Sequence, residues 1–223
     1  MIRKIILDID GTLTDMDLKV DPEIIESLRY VQKQGISIDL CSGNVLPVMM
    51  GIRNILGLKG YLAAENGGIF YVNGSIRKDF TNEAPLAAFE LITKNFTVTE
   101  PVTNRWRETS IAFNCSGDIE ALKSFAKEFP VSIQYSKFAY HILNKNQDKG
   151  HAVNAIIQMS SVMANEVLVC GDSENDLPMY IDSVRKAAIS NSDNRLKERA
   201  DYVSVDKFGK GLIEILRFHD LIK

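Results

Sequence analysis

The chain has 223 residues, of which 45% are hydrophobic and 25% are charged, and its formal net charge is -3. These values are ordinary for a globular protein of one large domain or two smaller ones. No basic block is present to neutralise phosphates, which argues against a general nucleic-acid binder. No apolar run approaches the roughly 18 residues of a membrane span, and Met1 leads into a charged strand rather than a signal peptide. The scattered cysteines, Cys41, Cys115 and Cys170, predict reduced thiols in a cytoplasmic protein.

The first predicted strand is a short apolar run over residues 3–7, and it ends abruptly in polar residues. Asp8, Asp10, Gly11 and Thr12 follow it, although Asp and Gly are poor strand residues. In open α/β sheets, ligands bind just beyond the carboxyl ends of the strands. Two carboxylates and a glycine at that place indicate a divalent cation and an anionic substrate. A polar turn after an edge strand is the alternative interpretation.

The next residues alternate between helix and strand signals. Asp21 is a predicted N-cap, Pro22 suits the first helical position, and Gly57 is a predicted helix stop. The predicted elements are a helix over 22–35, a strand over 36–41, a helix opening at 47 and a strand over 61–64. This alternation predicts a doubly wound parallel sheet with right-handed crossovers.

The pattern changes after residue 68. Asn73-Gly74 lies between two short strand-like runs, which is a strong hairpin signal. Further predicted elements are a helix over 83–95, a strand over 110–114, a helix over 118–129 and strands over 131–135 and 138–143. Strands that follow one another without a helix favour an antiparallel sheet, so 82–148 is predicted to be an α+β unit, called here the inserted segment.

The alternation resumes at Lys149. Its predicted elements are helices over 151–161, 177–181, 193–200 and 210–218, and strands over 166–170, 186–189 and 202–205. The fold class predicted for the whole chain is therefore α/β, a doubly wound parallel sheet of residues 1–81 and 149–223, with an α+β domain inserted at 82–148.

Polar side chains gather at the ends of four predicted strands. They are Asp8, Asp10 and Thr12; Ser42 and Asn44; Glu65 and Asn66; and Asp172, Ser173, Asn175 and Asp176. Strand carboxyl ends lie along one edge of a parallel sheet, so these groups can converge. Four aspartates in one cleft require a cation, and Mg²⁺ suits carboxylates combined with a substrate phosphate. Lys149 would add a positive charge for that phosphate.

These motifs together resemble the haloacid dehalogenase superfamily of aspartate-nucleophile phosphohydrolases. Asp8-Ile-Asp10-Gly-Thr12 is similar to its first motif, Ser42 to its second, Lys149 to its third, and residues 171–176 to its fourth. The insertion between the second and third motifs resembles the branch with an α/β cap of the second type. The run 42–47 resembles that of the archaeal phosphoglycolate phosphatases. Many relatives have Arg where this chain has Asn44, so their substrate contacts at that position are not carried over to this chain.

The resemblance implies a role for each motif residue. Asp8 would be the nucleophile that forms an aspartyl-phosphate, and Asp10 would be the general acid and base. Mg²⁺ would be held by Asp8, by the backbone carbonyl of Asp10 and by Asp172, with Asp176 and Asn175 as outer support. The phosphoryl group would be held by Thr12, Ser42, Gly43, Lys149 and Asn175. The implied reaction is hydrolysis of a small phosphate ester, with 2-phosphoglycolate favoured, by a monomer or homodimer.

Each site residue also has a simpler structural interpretation. Ser42 and Asp176 could cap helices, Lys149 could be solvated at a helix start, and Glu65 and Asn66 could only shape a turn. Structural roles are expected for His141 and His151, and surface positions are favoured over a lid role for Arg105, Trp106 and Arg107.

Alternative functions also stay open at this stage. They are a sugar-phosphate phosphatase of broad specificity, a phosphotransferase or mutase, and a phospho-acceptor module without enzyme activity. Asp10 argues against the last, because a second carboxylate activates water. A dinucleotide-binding enzyme is disfavoured because no Gly-x-Gly-x-x-Gly follows the first strand.

Overall fold

The computed structural model describes residues 1–223 as twelve strands and seven α-helices. The strands are β1 (Lys4–Leu7), β2 (Ser37–Cys41), β3 (Leu62–Ala64), β4 (Ile69–Val72), β5 (Ser75–Lys78), β6 (Val98–Thr99), β7 (Ser110–Cys115), β8 (Val131–Tyr135), β9 (Tyr140–Asn144), β10 (Val167–Gly171), β11 (Arg185–Ala188) and β12 (Tyr202–Val203). The helices are α1 (Pro22–Lys33), α2 (Leu46–Leu56), α3 (Glu83–Asn95), α4 (Ile119–Ala126), α5 (Lys149–Met159), α6 (Asn194–Arg199) and α7 (Phe208–Phe218).

Eight strands form the larger sheet, in the order β12-β11-β10-β1-β2-β3-β4-β5. The strands from β12 to β3 are parallel, and the β4–β5 hairpin adds an antiparallel edge. Leu7 at the end of β1 pairs with Leu40 on one side and Cys170 on the other, so the three strands end at one level. This confirms the predicted doubly wound α/β fold.

The core of the large sheet lies on its two faces. Strand β1 is buried along its whole length, so its successive side chains enter opposite hydrophobic clusters. Ile5 and Leu7 pack in a cluster of 26 buried residues that includes the apolar faces of α1, α2 and α7. Ile6 packs on the other face in a cluster of 14 buried residues, together with Val153 and Ile156 of α5.

The smaller sheet lies within the inserted segment and is antiparallel, in the order β6-β7-β9-β8. It has its own cluster of seven buried hydrophobic residues, supplied by α3, α4 and strands β7 and β9. Phe89 and Phe113 are the largest side chains of this cluster. The domain limits at 82 and 148 stay a prediction, although the separate core is in keeping with them.

Local sequence signals account for several turns. Asn73 and Gly74 both have positive φ, 51° and 86°, as a two-residue type I′ hairpin turn requires. The Asp21 side chain accepts a hydrogen bond from the Glu23 amide and caps α1. None of the helices has the length and apolar character needed to cross a membrane.

Some predicted elements differ from those of the structure. The helix predicted over 177–181 is wrong, because a 3₁₀ helix spans Glu174–Met179 and contains Pro178, which cannot donate to an α-helical ladder. The strand predicted from 138 begins at Tyr140, after a turn in which Lys137 has a φ of 64°. Strand β6 and a 3₁₀ helix over Val102–Trp106 lack sequence signals and were not predicted.

Candidate active site

The carboxyl ends of β1, β2 and β10 bring three of the sequence motifs together. Asp8 directly follows β1, Ser42 follows β2, and Asp172 follows β10, and the three strands pair in register. Lys149, the first residue of α5, reaches the same place from a distant part of the chain. The edge expected from the sequence is therefore formed, and all four residues are buried.

Lys149 lies between two carboxylates. Its Nζ is 2.5 Å from Asp8 Oδ1 and 2.5 Å from Asp176 Oδ1, and the residue is 1% exposed. Burial disfavours the charged ammonium, but the negative charges of Asp176 and Asp8 outweigh it and raise the pKa of Lys149. The simpler interpretation, that Lys149 is a solvated residue at a helix start, is therefore wrong.

Asp176 combines a capping role with its contact to Lys149. Its Oδ2 accepts hydrogen bonds from the Asp172 and Ser173 amides, each over 2.9 Å, at the start of the 3₁₀ helix. The other oxygen, Oδ1, faces Lys149. Asp176 thus fixes the loop that carries Asp172 and also balances the lysine charge.

A buried acidic cluster is present at this edge of the sheet. Asp8, Asp172 and Asp176 each offer a carboxylate oxygen within 4.8 Å of the others. Burial, together with the Asp176 charge, raises the pKa of Asp8 well above its usual range and that of Asp172 to about 6. A hard divalent cation would relieve this repulsion, so the donor set fits Mg²⁺ chemistry.

A second lysine reaches the cluster from the inserted segment. Lys137 Nζ donates to Asp172 Oδ2 over 2.5 Å, and to the backbone carbonyls of Asp172 and Asn191 over 3.1 and 3.2 Å. Sequence reasoning missed this contact, because Lys137 lies in a turn between β8 and β9 with no motif around it. The positive charge of Lys137 counters the like charges of the acidic cluster.

Asn44 holds Asp10, the second carboxylate of the first motif. Its Nδ2 donates to Asp10 Oδ2 over 2.6 Å, and its backbone amide donates to Ser42 Oγ over 3.1 Å. Burial raises the pKa of Asp10, and the hydrogen bond from Asn44 partly opposes that rise. Ser42 does not cap α2, because the N-cap residue is Val45 and no side chain caps that helix.

A cavity of about 130 Å³ opens between the larger sheet and the inserted segment. The lining includes five of the residues predicted from the sequence, Asp8, Asp10, Ser42, Gly43 and Asn175. Two other predicted residues contact the acidic cluster instead. Thr12 Oγ1 donates to Asp172 Oδ1 over 3.5 Å, and Lys149 contacts Asp8.

Arg107 and His141 are two of the eight residues of the inserted segment that line the cavity. Arg107 is only 8% exposed and donates a hydrogen bond to the Gly43 carbonyl over 3.0 Å, so the prediction that it lies at the surface is wrong. Arg105 and Trp106 are exposed, as predicted. Burial and the charges of Arg107 and Lys149 hold the pKa of His141 well below its usual range, which keeps its imidazole neutral.

Glu65 ties the larger sheet to the inserted segment. Its carboxylate accepts hydrogen bonds from the Glu108 and Thr109 amides and from the Thr109 and Ser110 hydroxyls, over 2.7 to 3.1 Å. Its φ is 52°, an uncommon value for a residue with a side chain. Glu65 therefore does more than shape a turn, because it holds the chain that leads into β7.

His151 has a structural role, as expected. Its Nε2 pairs with Asp79 Oδ2 over 2.9 Å, and its ring packs edge-on against Phe70 and Phe80. It lies outside the cavity lining.

The fold and this arrangement of charges are those of a hydrolase built on a doubly wound sheet. The chain belongs to the haloacid dehalogenase-like hydrolase family, whose pattern matches residues 5–100 and 90–216. It is similar to a phosphoglycolate phosphatase of Thermoplasma acidophilum, with 38% identity and full coverage of both chains. It is also 38% identical to a phosphoglycolate phosphatase of Picrophilus torridus, in an alignment that covers 100% of this chain and 93% of that protein. The crystal structure of Thermoplasma acidophilum 0175 superposes with a TM-score of 0.95 at 38% identity and full coverage of both chains.

Proposed function

We propose that this chain is a Mg²⁺-dependent phosphatase that hydrolyses 2-phosphoglycolate to glycolate and phosphate through an aspartyl-phosphate on Asp8. The observation that carries the proposal is the position of Asp8, whose carboxylate lines the cavity while Lys149 contacts it. The names of the Thermoplasma and Picrophilus relatives support the substrate. The small volume of the cavity also favours a short phosphate ester over a larger sugar phosphate.

Asp8 would act as the nucleophile. Its attack on a phosphate monoester brings two anions together, so positive charge and hydrogen-bond donors must surround the reacting phosphorus. Lys149 supplies the charge, and the hydroxyls of Thr12 and Ser42 supply donors. Gly43 and Asn175 would complete the phosphoryl site from the cavity wall. The new bond joins Asp8 Oδ to phosphorus as the bond from phosphorus to the ester oxygen breaks.

Asp10 would transfer the protons of both steps. It donates a proton to the departing glycolate oxygen, and then accepts one from the water that attacks the acyl phosphate. The raised pKa of Asp10 suits a group that must carry a proton in the first step. The hydrogen bond from Asn44 would keep the carboxylate aimed in both steps.

Mg²⁺ would be held by the carboxylates of Asp8 and Asp172 and by the backbone carbonyl of Asp10, with Asp176 supporting them. When bound, the ion would supply positive charge to the phosphoryl oxygens. The buried acidic cluster supports this assignment, because the pKa values of Asp8 and Asp172 are raised even with Lys149 and Lys137 beside them.

The inserted segment, 82–148, would act as a cap over the catalytic core of residues 1–81 and 149–223. The contacts of Glu65, Lys137 and Arg107 support this division, because each of them joins the two parts beside the cavity. The three cysteines are unpaired, the state that a reducing compartment maintains, and on that ground we place the enzyme in the cytoplasm. Its state as a monomer or homodimer stays a prediction.

Phosphate release tests the proposed function. The purified protein should hydrolyse p-nitrophenyl phosphate with added Mg²⁺ and lose that activity in excess chelator. In a screen of phosphoglycolate, sugar phosphates and nucleotides, phosphoglycolate should give the highest kcat/KM. The Asp8→Asn variant is the control for contaminating phosphatases and should be inactive. Equal activity in chelator would contradict the metal assignment, and a higher kcat/KM on a sugar phosphate would contradict the substrate.

A further inference from the structure

Arg107 is a buried cation with no carboxylate within ion-pair distance. It is 8% exposed, and both hydrogen bonds of its guanidinium come from Nη1, to the Gly43 carbonyl and to Ser110 Oγ, each over 3.0 Å. Its Nε is buried without any hydrogen-bond partner. Glu65 lies one hydroxyl away, because Ser110 Oγ donates to Glu65 Oε2 while accepting from Arg107. Glu65 therefore offsets part of the Arg107 charge, but no carboxylate pairs with the guanidinium directly, so an anion from outside the chain would stabilise it further.

Arg107 is part of the cavity wall that contains the reacting carboxylates. The contact with Gly43 places its guanidinium next to the loop of Ser42 and Asn44, and Asn44 in turn holds Asp10. Asp8 and Asp10 belong to the core side of the cavity, whereas Arg107 approaches from the inserted segment. When Asp8 attacks the phosphoryl group, the alcohol part of the ester therefore lies on the side of the cavity that contains Arg107.

The cavity limits the size of that alcohol. Its volume of about 130 Å³ lies well below the roughly 300 Å³ at the lower end of the range for small-molecule pockets. Its wall on the side of the inserted segment also contains His141, whose Nδ1 has no partner. The structure thus offers one cation and one uncommitted imidazole nitrogen to a leaving group of only a few atoms.

We propose that Arg107 binds a carboxylate on the leaving group and so selects phosphate esters of short hydroxy acids over neutral esters of the same length. This inference rests on the proposed function, and it names the residue that recognises the leaving group of the substrate. Arginine suits the task because its planar donors pair with both oxygens of a carboxylate. His141, with its proton on Nδ1, would be a second donor to the same group.

Matched substrates test the proposal by steady-state kinetics. Phosphoglycolate and ethyl phosphate are both two-carbon esters, and only the first has a carboxylate. Arg107→Gln should lower kcat/KM on phosphoglycolate by about 10- to 100-fold, mostly through KM, and change that on ethyl phosphate by less than about threefold. Arg107→Lys should recover part of the loss because it restores the charge. Arg105→Gln, an exposed neighbour, is the control and should leave both substrates unchanged.

Turnover of ethyl phosphate also reports that each variant is folded. Equal losses on both substrates in Arg107→Gln and Arg107→Lys would overturn the proposal, because they would indicate a general structural role. A wild-type enzyme that does not distinguish the two esters would overturn it as well, while leaving a phosphatase function intact.

A binding measurement separates this proposal from the proposed function. Calorimetry on Asp8→Asn, which lacks the nucleophile, should show tighter binding of phosphoglycolate than of ethyl phosphate, and adding Arg107→Gln should remove the difference. That result would support the carboxylate site even if the wild-type protein hydrolysed neither ester. Absence of hydrolysis would refute the proposed phosphatase function and leave the carboxylate site standing. Equal binding of the two esters to Asp8→Asn would refute the carboxylate site.

Discussion

Lys137 donates a hydrogen bond to the carboxylate of Asp172 over 2.5 Å, and it thereby joins the inserted segment to the acidic cluster of the core. The ammonium occupies one oxygen of a residue proposed to hold Mg²⁺, and its backbone partners, the carbonyls of Asp172 and Asn191, keep it there. Two cations would therefore share Asp172 when the metal binds. Because like charges repel, the contact of Lys137 with Asp172 and the binding of the metal are expected to oppose each other.

Removing Lys137 should tighten the binding of Mg²⁺. A unit charge at about 4 Å contributes ~1 kcal/mol in water, so Lys137→Gln should lower the Kd for Mg²⁺ by about fivefold in the absence of substrate. Isothermal titration of the metal alone measures this effect. Lys145→Gln, an exposed lysine of the same segment, is the control and should leave the Kd unchanged. Unchanged or weaker binding in Lys137→Gln would contradict the proposed opposition.

Neutralising Asp172 should stabilise the metal-free protein at neutral pH. The pKa of Asp172 is about 6 in the folded state because of burial and the Asp176 charge, against an ordinary 3.8. The folded state therefore binds this proton more tightly than the unfolded chain does, and gains stability as the pH falls from 7 through 6 towards 3.8. At pH 7, Asp172→Asn should raise the free energy of unfolding by roughly 1–3 kcal/mol.

Urea unfolding in chelator at pH 7 and at pH 4 measures this prediction. The difference in the free energy of unfolding between Asp172→Asn and wild type should shrink towards zero at pH 4, because the wild-type carboxyl is then protonated in the folded protein. Asp182→Asn, at an exposed position, should show little difference from wild type at either pH. A destabilised Asp172→Asn at pH 7 would mean that the ion pair with Lys137 outweighs the repulsion in the cluster.

Glu65 should be required for firm attachment of the inserted segment. In Glu65→Gln, an amide replaces one oxygen and faces the donors of Thr109 and Ser110, which should lower the free energy of unfolding by about 1–3 kcal/mol. Hydrogen exchange at the Glu108 and Thr109 amides, which donate to this carboxylate, should become faster. Glu90→Gln on the exposed face of α3 is the control. Unchanged exchange at both amides would show that Glu65 does not hold the segment.

The sequence predicted the core of the fold and much of the site because both depend on local patterns. The buried run before Asp8 has the composition of a central parallel strand, and polar residues at strand ends must meet when the strands are parallel and in register. Turn residues with positive φ, such as Gly74, are likewise visible in the sequence. These features can be predicted without knowing where the inserted segment lies relative to the larger sheet.

The contacts of the inserted segment could not be predicted in the same way. Arg107 and Lys137 resemble ordinary surface residues in the sequence. Only the packing of the inserted segment against the loops of Gly43 and Asp172 buries the first and brings the second to Asp172. Gly43 shows how close this approach is, because a Cβ at that position would lie 3.1 Å from the His141 ring. Such contacts depend on tertiary geometry rather than on spacing along the chain.

The most direct test of the whole account is the detection of phosphate on Asp8. With p-nitrophenyl phosphate, whose nitrophenolate leaves without needing a proton, the Asp10→Asn variant should accumulate the acyl phosphate, because it lacks the base that activates water for the second step. After mixing with p-nitrophenyl phosphate and Mg²⁺, rapid acid quench, digestion and mass spectrometry should find phosphate on the peptide that contains Asp8, and hydroxylamine should remove it. Asp8→Asn should show no phosphate. A wild-type enzyme that releases phosphate while this peptide stays unmodified in Asp10→Asn, or phosphate found on another residue, would contradict the mechanism.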